Sequence, residues 1–308
     1  MKAIGGYFEL ELASTGELYT DAIHLNSGRN GIRYIVRAYQ INTIYAPAFT
    51  CPVVWDALRD EGCEIRLYHV GKDFLPIHLL EQAAWVLYTN YFGVCTKQVE
   101  EMRHCYPNLI VDQAQAFYAP PTELCVYSPR KFFGLPDGGL LYTQKKLPDD
   151  LPDGVSSHRM SHLLRRLDEG ASAGYSDFCE NDATLNHEPI TQMSKLTRHL
   201  LQNVQYQFAA DRRRENFAYL HQFLKGSNEI PLEPSSFTAP MIYPYLNRAF
   251  GSDRKKRLIA QQIFVATYWR GQQDPGWGEV LSQNMLALPI DQRYGRKEMD
   301  HILEALYG

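Results

Sequence analysis

The sequence predicts an α/β fold built on a mostly parallel sheet, and three observations carry that prediction. Short apolar runs alternate with stretches of helical periodicity through about residue 145, the order expected of strands joined by right-handed crossover helices. Residues 109–111 form an unbroken apolar run that ends in Asp112, as a buried parallel strand does, with the acid at the strand end where such sheets bind ligands. Ser27 and Gly28 precede Ile32, Ile35, Val36 and Tyr39, an apolar spacing of helical period, so a helix starts here with free N–H groups and the positive end of its dipole. That terminus is a ready phosphate site, although a serine in this position serves equally as a plain N-cap.

The elements follow in order. Tyr7 to Leu12 alternate in polarity like a strand. Residues 43–46 read as a strand, 53–59 as a helix and 63–68 as a strand, a β-α-β repeat. Residues 85–88 form another strand ending in Asn90-Tyr91-Phe92-Gly93, and a helix through Val99 and Met102 leads to the Asp112 strand. A β-type run at 124–127 precedes Lys131, and Gly138-Gly139 make a turn. Residues 145–153 are polar and rich in Pro and Asp, a surface loop. Helical character returns at 158–167, residues 170–187 read as irregular, and Pro189 opens a helical stretch toward Leu224. Its stripe of Met193, Leu196, Leu200, Val204 and Phe208 is expected to be core or a dimer seam. The C-terminal part reads as a small α/β unit: a strand at 241–243, a helix at 253–261, the apolar run 264–269 and a last helix at 297–307. The expected organisation is a large domain at 20–205 and a small one at 206–308, with 1–19 packed against the latter.

With 308 residues and 45% hydrophobic content, the chain is long enough for one large core or two modest ones. A formal charge of -4 gives no basic footprint, which argues against nucleic acid as a principal partner. The runs Arg212-Arg213-Arg214 and Arg254-Lys255-Lys256-Arg257 fall in helix-like segments and read as solvated faces. Six cysteines, with no C-x-x-C pair and no histidines at metal spacing, predict free buried thiols, a reducing compartment and no metal site. No apolar run approaches the roughly 20 residues a membrane helix needs. There is no signal-peptide core at the N-terminus either, so the expectation is a cytoplasmic protein without membrane partners.

Asp112 and Lys131 carry the chemistry. A carboxylate buried at a strand end needs a cationic partner, and a buried lysine of depressed pKa is the usual Schiff-base nucleophile. The segment Asp112-Gln113-Ala114-Gln115-Ala116, then Lys131, then Gly138-Gly139 seven and eight residues beyond it, resembles the pyridoxal-phosphate enzymes of fold type I. Within them it resembles the DegT/StrS-type nucleotide-sugar aminotransferases, whose pattern is D-x-A-[QH]-A, S-F-x-x-x-K and Gly-Gly at the same offset. The likeness extends over nearly the whole chain, through a long helix around Arg213 to Phe217 and a closing Leu288-Pro289 before the final helix. The chain is shorter than a typical member, which implies trimmed loops around the substrate.

The resemblance implies roles residue by residue. Lys131 would form the Schiff base with pyridoxal 5'-phosphate, Asp112 would pair with the ring nitrogen, and Gln115 would face the ring hydroxyl. Ser27-Gly28-Arg29 stands where the family has S-G-T and would hold the cofactor phosphate, with arginine in place of threonine. Cys51 occupies the place of an aromatic residue that stacks on the ring, leaving Phe49, Tyr91 or Phe92 to supply a flat contact. Asn90 is placed at the site's edge, and Val126 replaces a serine that helps bind phosphate. Asn186 and His187 are candidates to reach across a dimer interface. The implied function is aminotransfer to a keto-sugar nucleotide in the making of a surface polysaccharide or similar glycan, by a homodimer with glutamate as donor. Dehydration or epimerisation on the same site, or a non-catalytic binding or regulatory role, are the alternatives.

Overall fold

The structure, a computed structural model, describes residues 4–250, 253–269 and 274–307. One 7-stranded sheet contains β1 (Ile23–Leu25), β2 (Thr43–Pro47), β3 (Glu64–Tyr68), β4 (Trp85–Thr89), β5 (Leu109–Asp112), β6 (Cys125–Tyr127) and β7 (Gly139–Tyr142). Their spatial order is β1-β7-β6-β5-β4-β2-β3. The pairings from β3 to β6 are all parallel, and β7 runs antiparallel to both of its neighbours. The helices α1 (Gly28–Tyr39), α2 (Pro52–Asp60) and α3 (Thr96–Cys105) connect the parallel strands. The sheet is therefore mostly parallel, as the alternation of elements predicts.

Burial on both faces explains the unbroken apolar runs. Val86, Tyr88, Leu109, Val111, Cys125 and Tyr127 enter one core, while Leu87, Ile110, Leu124 and Val126 enter the other with α1 and α2. Successive residues of one strand thus serve opposite cores, the two-residue period of a pleated strand.

The remainder comprises α4 (Ser161–Asp168), α5 (Tyr175–Thr184), α6 (Lys195–Gln202), α7 (Tyr206–Leu224), β8 (Ile242–Tyr245), α8 (Arg254–Ala260), α9 (Trp277–Asn284), β9 (Leu286–Pro289) and α10 (Arg296–Tyr307). β8 and β9 form a two-stranded antiparallel sheet, to which Ala266 adds a single bridge opposite Ala287. Among the described residues, no helix is long and apolar enough to cross a membrane.

Several expectations are corrected. Residues 7–12 form no strand, and Tyr7 and Phe8 are exposed. The segment is tied down further along: Tyr19 is buried on Phe117 and Tyr127, in a core that also takes in residues of β8 and β9. The region 170–187 holds α5. The helical stretch from Pro189 is two helices with a break at 203–205. There the carbonyls of Gln202 and Val204 accept from Thr15, at 2.7–3.3 Å, instead of from a continuing helix. The break shifts the helical phase, so Phe208 is exposed and Arg213 is buried. Two of the cysteines, Cys105 and Cys179, are exposed.

Close backbone approach fixes the lysine turn to the start of α1. A Cβ on Gly139 would lie 2.3 Å from the carbonyl of Ser27 and 2.6 Å from the amide nitrogen of Gly28. The Gly-Gly pair therefore exists to let β7 pass against the Ser27-Gly28 backbone. Gly139→Ala should destabilise the protein by about 1–3 kcal/mol, the cost of overpacking a rigid site, which urea unfolding would measure. An unchanged midpoint would contradict this account of the turn.

Candidate active site

At the carboxyl edge of the sheet lies a cavity of about 450 Å³. Ser27, Gly28 and Arg29 reach it from the start of α1, Cys51 from the start of α2, Asp112 from the end of β5, and Lys131 from the turn after β6. The β8–β9 side contributes Met241, Ile242 and Ala287, and α7 contributes Arg213. Parallel strands set this arrangement, because all of them deliver their C-terminal ends, and the N-termini of the helices that follow, to the same edge.

Asp112 is 7% exposed, and its Oδ1 accepts the amide N–H of Ala114 at 2.9 Å. Burial pushes its carboxyl above the usual range, against the smaller opposing pulls of the Lys131 charge and the Ala114 N–H. Lys131 is exposed rather than buried, at the end of the short 3-10 turn Pro129–Lys131. The turn lifts it off the strand end, so that it stands on the cavity wall instead of entering the core. It acts on Asp112 through the field and closes no ion pair with it.

The start of α1 is strongly cationic. Ser27 is the N-cap, its Oγ accepting from the Asn30 N–H at 3.2 Å. Arg29 donates to Asn186 Oδ1 and lies 3.7 Å from Asp182, while Arg130 donates to the same Asp182 at 3.4 Å. Two guanidinium groups thus share one half-exposed carboxylate, and Arg130 Nε is buried without a partner. Burial lowers the pKa of Arg130, the sign of a charge short of compensation. Val126, at the position of the family serine, instead fills the notch beside Gly31, where a Cβ would come within 2.7 Å of Val126 Cγ1. Ser128, two residues on and on the same face of the chain, lines the cavity beside Gly28.

Gln115 lies behind the wall. Its Oε1 accepts the Phe92 N–H at 2.9 Å and its Nε2 is buried without a partner. Asn90 is not brought to the cavity: it donates to Gln113 at 2.9 Å and accepts from the Cys95 N–H at 3.1 Å, which orders the start of α3. Phe49, Tyr91 and Phe92 are fully buried in a cluster with Trp269 and do not line the cavity. The rings that do reach it are Phe178, Phe264 and Tyr268; Tyr268 is seated on Phe92 near Cys51, and burial pushes its hydroxyl up to about 12. Asn186 and His187 close on this same chain, on Arg29 and Asp60.

Sequence reasoning missed Arg213, Asp182 and Tyr268. A signal existed for Arg213, since Phe217, Leu220 and Leu224 continue its face of α7 at helical spacing. Among the described residues, no cluster of three His, Cys, Asp or Glu side chains is placed to hold a metal ion.

The topology and the placement of the lysine turn define the fold of the type I pyridoxal-phosphate-dependent enzymes. No family model and no curated protein matches the sequence. Among solved structures, the chain is similar to DesV of S. venezuelae, with a TM-score of 0.63 and 17% identity, covering 92% of this chain and 83% of that one. It is similar to a DegT/DnrJ/EryC1/StrS aminotransferase from Brucella abortus at TM-score 0.61 and 15% identity, covering 92% and 84%. It also resembles NtdA of Bacillus subtilis, solved with bound pyridoxamine phosphate, at TM-score 0.63 and 15% identity, covering 93% and 72%. At these identities the likeness is one of fold.

The raised carboxyl of Asp112 has a definite sign. A folded-state pKa above the ordinary 3.8 means that the folded protein binds the proton more tightly than the unfolded chain, so stability falls as pH rises through that interval. Asp112→Asn keeps the acceptor for Ala114 and removes the charge. The cofactor-free variant should melt a few degrees above the parent at pH 7, and the gap should close as pH is lowered toward 3.8. Differential scanning calorimetry across that range checks it.

Proposed function

We propose that this protein is a pyridoxal-phosphate-dependent aminotransferase, with a nucleotide-linked keto-sugar as acceptor and L-glutamate as donor. It would work as a homodimer in the making of a surface polysaccharide or related glycan. The observation that carries the reading is the meeting, in one cavity, of Lys131, the buried Asp112 and the doubly cationic start of α1. Support comes from a fold shared with an aminotransferase of the DegT/DnrJ/EryC1/StrS type and with a protein solved with bound pyridoxamine phosphate. The six free cysteines suit a reducing, cytoplasmic compartment.

The residues fit the cofactor on several independent counts. The phosphate would be held by the first turn of α1, the charge of Arg29 and Arg130, the unpartnered Arg130 Nε and the hydroxyls of Ser27 and Ser128. Gly28 leaves that approach open, since a Cβ there would already meet Ser128 and Tyr127 at 3.4 Å. Gln115, behind the cavity wall, leaves its Nε2 a buried donor lacking an acceptor. Tyr268 provides the flat contact that Cys51 lacks.

When bound, the cofactor supplies an electron sink for the carbon that loses its proton. Asp112 would hold a proton on the ring nitrogen, and its own carboxyl would be ionised beside that positive charge. The Lys131 amine takes the proton from the substrate carbon and hands it on, acting as base and then as acid. Phe178 and Phe264 also line a second groove of about 960 Å³, room for the bulk of a large acceptor.

The deciding measurement is the visible spectrum of the protein with pyridoxal phosphate, before and after L-glutamate. A band of lysine-bound cofactor that glutamate converts to the pyridoxamine form is expected. A band that glutamate leaves unchanged would favour dehydration or epimerisation, and the absence of a band would favour a non-catalytic role. Lys131→Ala should abolish the band. Arg130→Met should keep it but weaken cofactor affinity by roughly tenfold or more, the loss expected for one charge-assisted bond.

A further inference from the structure

The cationic start of α1 carries an acid that the mechanism does not use. Asp182, on α5, lines the cavity with Lys131, and its Oδ1 lies 3.4 Å from Nη1 of Arg130 and 3.7 Å from Nη2 of Arg29. One oxygen thus serves two guanidinium groups. Both separations exceed the roughly 2.7–2.9 Å of a close charge-assisted bond. The Asp182 side chain is 52% exposed, a setting in which ion pairs are weak.

The residue before it shows the contrast with a committed contact. Asn181 is 6% exposed, donates to the Pro136 carbonyl at 3.0 Å and accepts from Arg159 at 3.1 Å. Arg159 also donates to Thr184 at 2.6 Å and Glu188 at 2.8 Å. α5 is therefore anchored beside Asp182 and not through it. Among the described residues, the Asp182 carboxylate has no hydrogen bond or ion pair other than those to the two arginines.

The arginines themselves are left short of acceptors. Arg130 Nε is buried without a partner, and burial lowers the pKa of this guanidinium against the opposing pull of Asp182. Arg29 is also engaged by Asn186 Oδ1, a neutral acceptor. A phosphate monoester brings nearly two negative charges and three acceptor oxygens, more than one carboxylate oxygen can offer. It outcompetes Asp182 for both groups.

We propose that Asp182 is a displaceable counter-ion: it balances Arg29 and Arg130 until a phosphate arrives, then turns out to solvent. The affinity of the site for phosphate is thereby set below what the two arginines alone would give. The inference deepens the cofactor reading and rests on it for the identity of that phosphate as the one of pyridoxal phosphate. A role in aligning the arginines predicts the opposite sign, because loss of an aligning acid weakens phosphate binding and loss of a competitor strengthens it.

The test is isothermal titration of the intact, cofactor-free protein with inorganic phosphate at constant ionic strength, alongside the visible spectrum with pyridoxal phosphate. Asp182→Asn, which keeps the shape and removes the charge, should bind phosphate about fivefold or more tightly than the parent, the effect of removing a like charge close to the anion near a protein surface. Glu180→Gln, which removes an exposed acid of the same helix, should leave the affinity unchanged. Equal or weaker binding by Asp182→Asn, the same gain in Glu180→Gln, or no phosphate binding by parent and variant overturns the proposal. Should Asp182→Asn fail to fold by circular dichroism, Asp182→Ala decides on the same criterion. If phosphate affinity rises as expected yet no band forms with pyridoxal phosphate, the counter-ion stands and the aminotransferase reading falls. A normal band with phosphate affinity indifferent to Asp182 removes this inference alone.

Discussion

Asp112 carries a carboxylate to the end of β5, where Ala114 gives it one N–H and burial otherwise disfavours its charge. A group in that position is tolerable only if the surrounding architecture supplies positive potential. The sheet does so by polarity: its parallel strands place helix N-termini and the turn after β6 at the same edge as Asp112. Lys131, Arg29 and Arg130 arrive there from different parts of the sequence. The net effect on Asp112 is still an upward push, so the protein alone does not fully satisfy the acid.

The same edge is held to close tolerance by backbone and polar contacts. Gly139 allows β7 to press against Ser27 and Gly28, which couples the turn after Lys131 to the N-terminal end of α1. Asp137, just before that turn, is 3% exposed and accepts from the Ser194 N–H at 3.3 Å, the Ser194 hydroxyl at 3.0 Å and the Thr197 hydroxyl. Ser194 is also the N-cap of α6. A shift of α6 would therefore be felt at the glycine pair and at the start of α1. Positioning to a few tenths of an ångström is what reactive groups need, and a frame of backbone contacts and buried charge-assisted bonds provides it.

The large sheet was legible because its signals are local and repeated: apolar runs of strand length, a capped helix after Ser27 and turn glycines at fixed offsets. The residues that came from motifs, Lys131, Asp112 and Ser27 to Arg29, do line one cavity. What was not legible depends on phase and on contacts distant in sequence. The break at 203–205 exists because Thr15 caps carbonyls nearly two hundred residues away, and it moved Arg213 from an apparent solvated run into the interior. Asn90 looked like a site residue, but its amide serves Gln113 and the start of α3. Tyr268 could not be seen from the sequence, because its place on the wall depends on packing over Phe92.

The two departures from the family pattern, at Cys51 and Val126, bear on whether the site still works. Val126 is not a simple loss, because it fills the space beside Gly31, and Ser128 stands at the cavity with Arg29 and Arg130 around the start of α1. On the proposed reading, phosphate would be held by guanidinium groups in place of a hydroxyl on the strand, a stronger and more directional class of donor. The flat surface missing at Cys51 has a counterpart in Tyr268, which lines the same cavity near Cys51. A site drifting out of use has no reason to retain the Arg130 Nε and the Gln115 Nε2 buried and unpartnered, or Arg213 buried without a counter-ion. Each of these is unfavourable in the protein alone, and each becomes favourable once a ligand supplies the missing acceptor. The presence of Arg130 and Arg213 in one cavity with Lys131 and Asp112 is the physical argument for a site shaped around an anionic ligand.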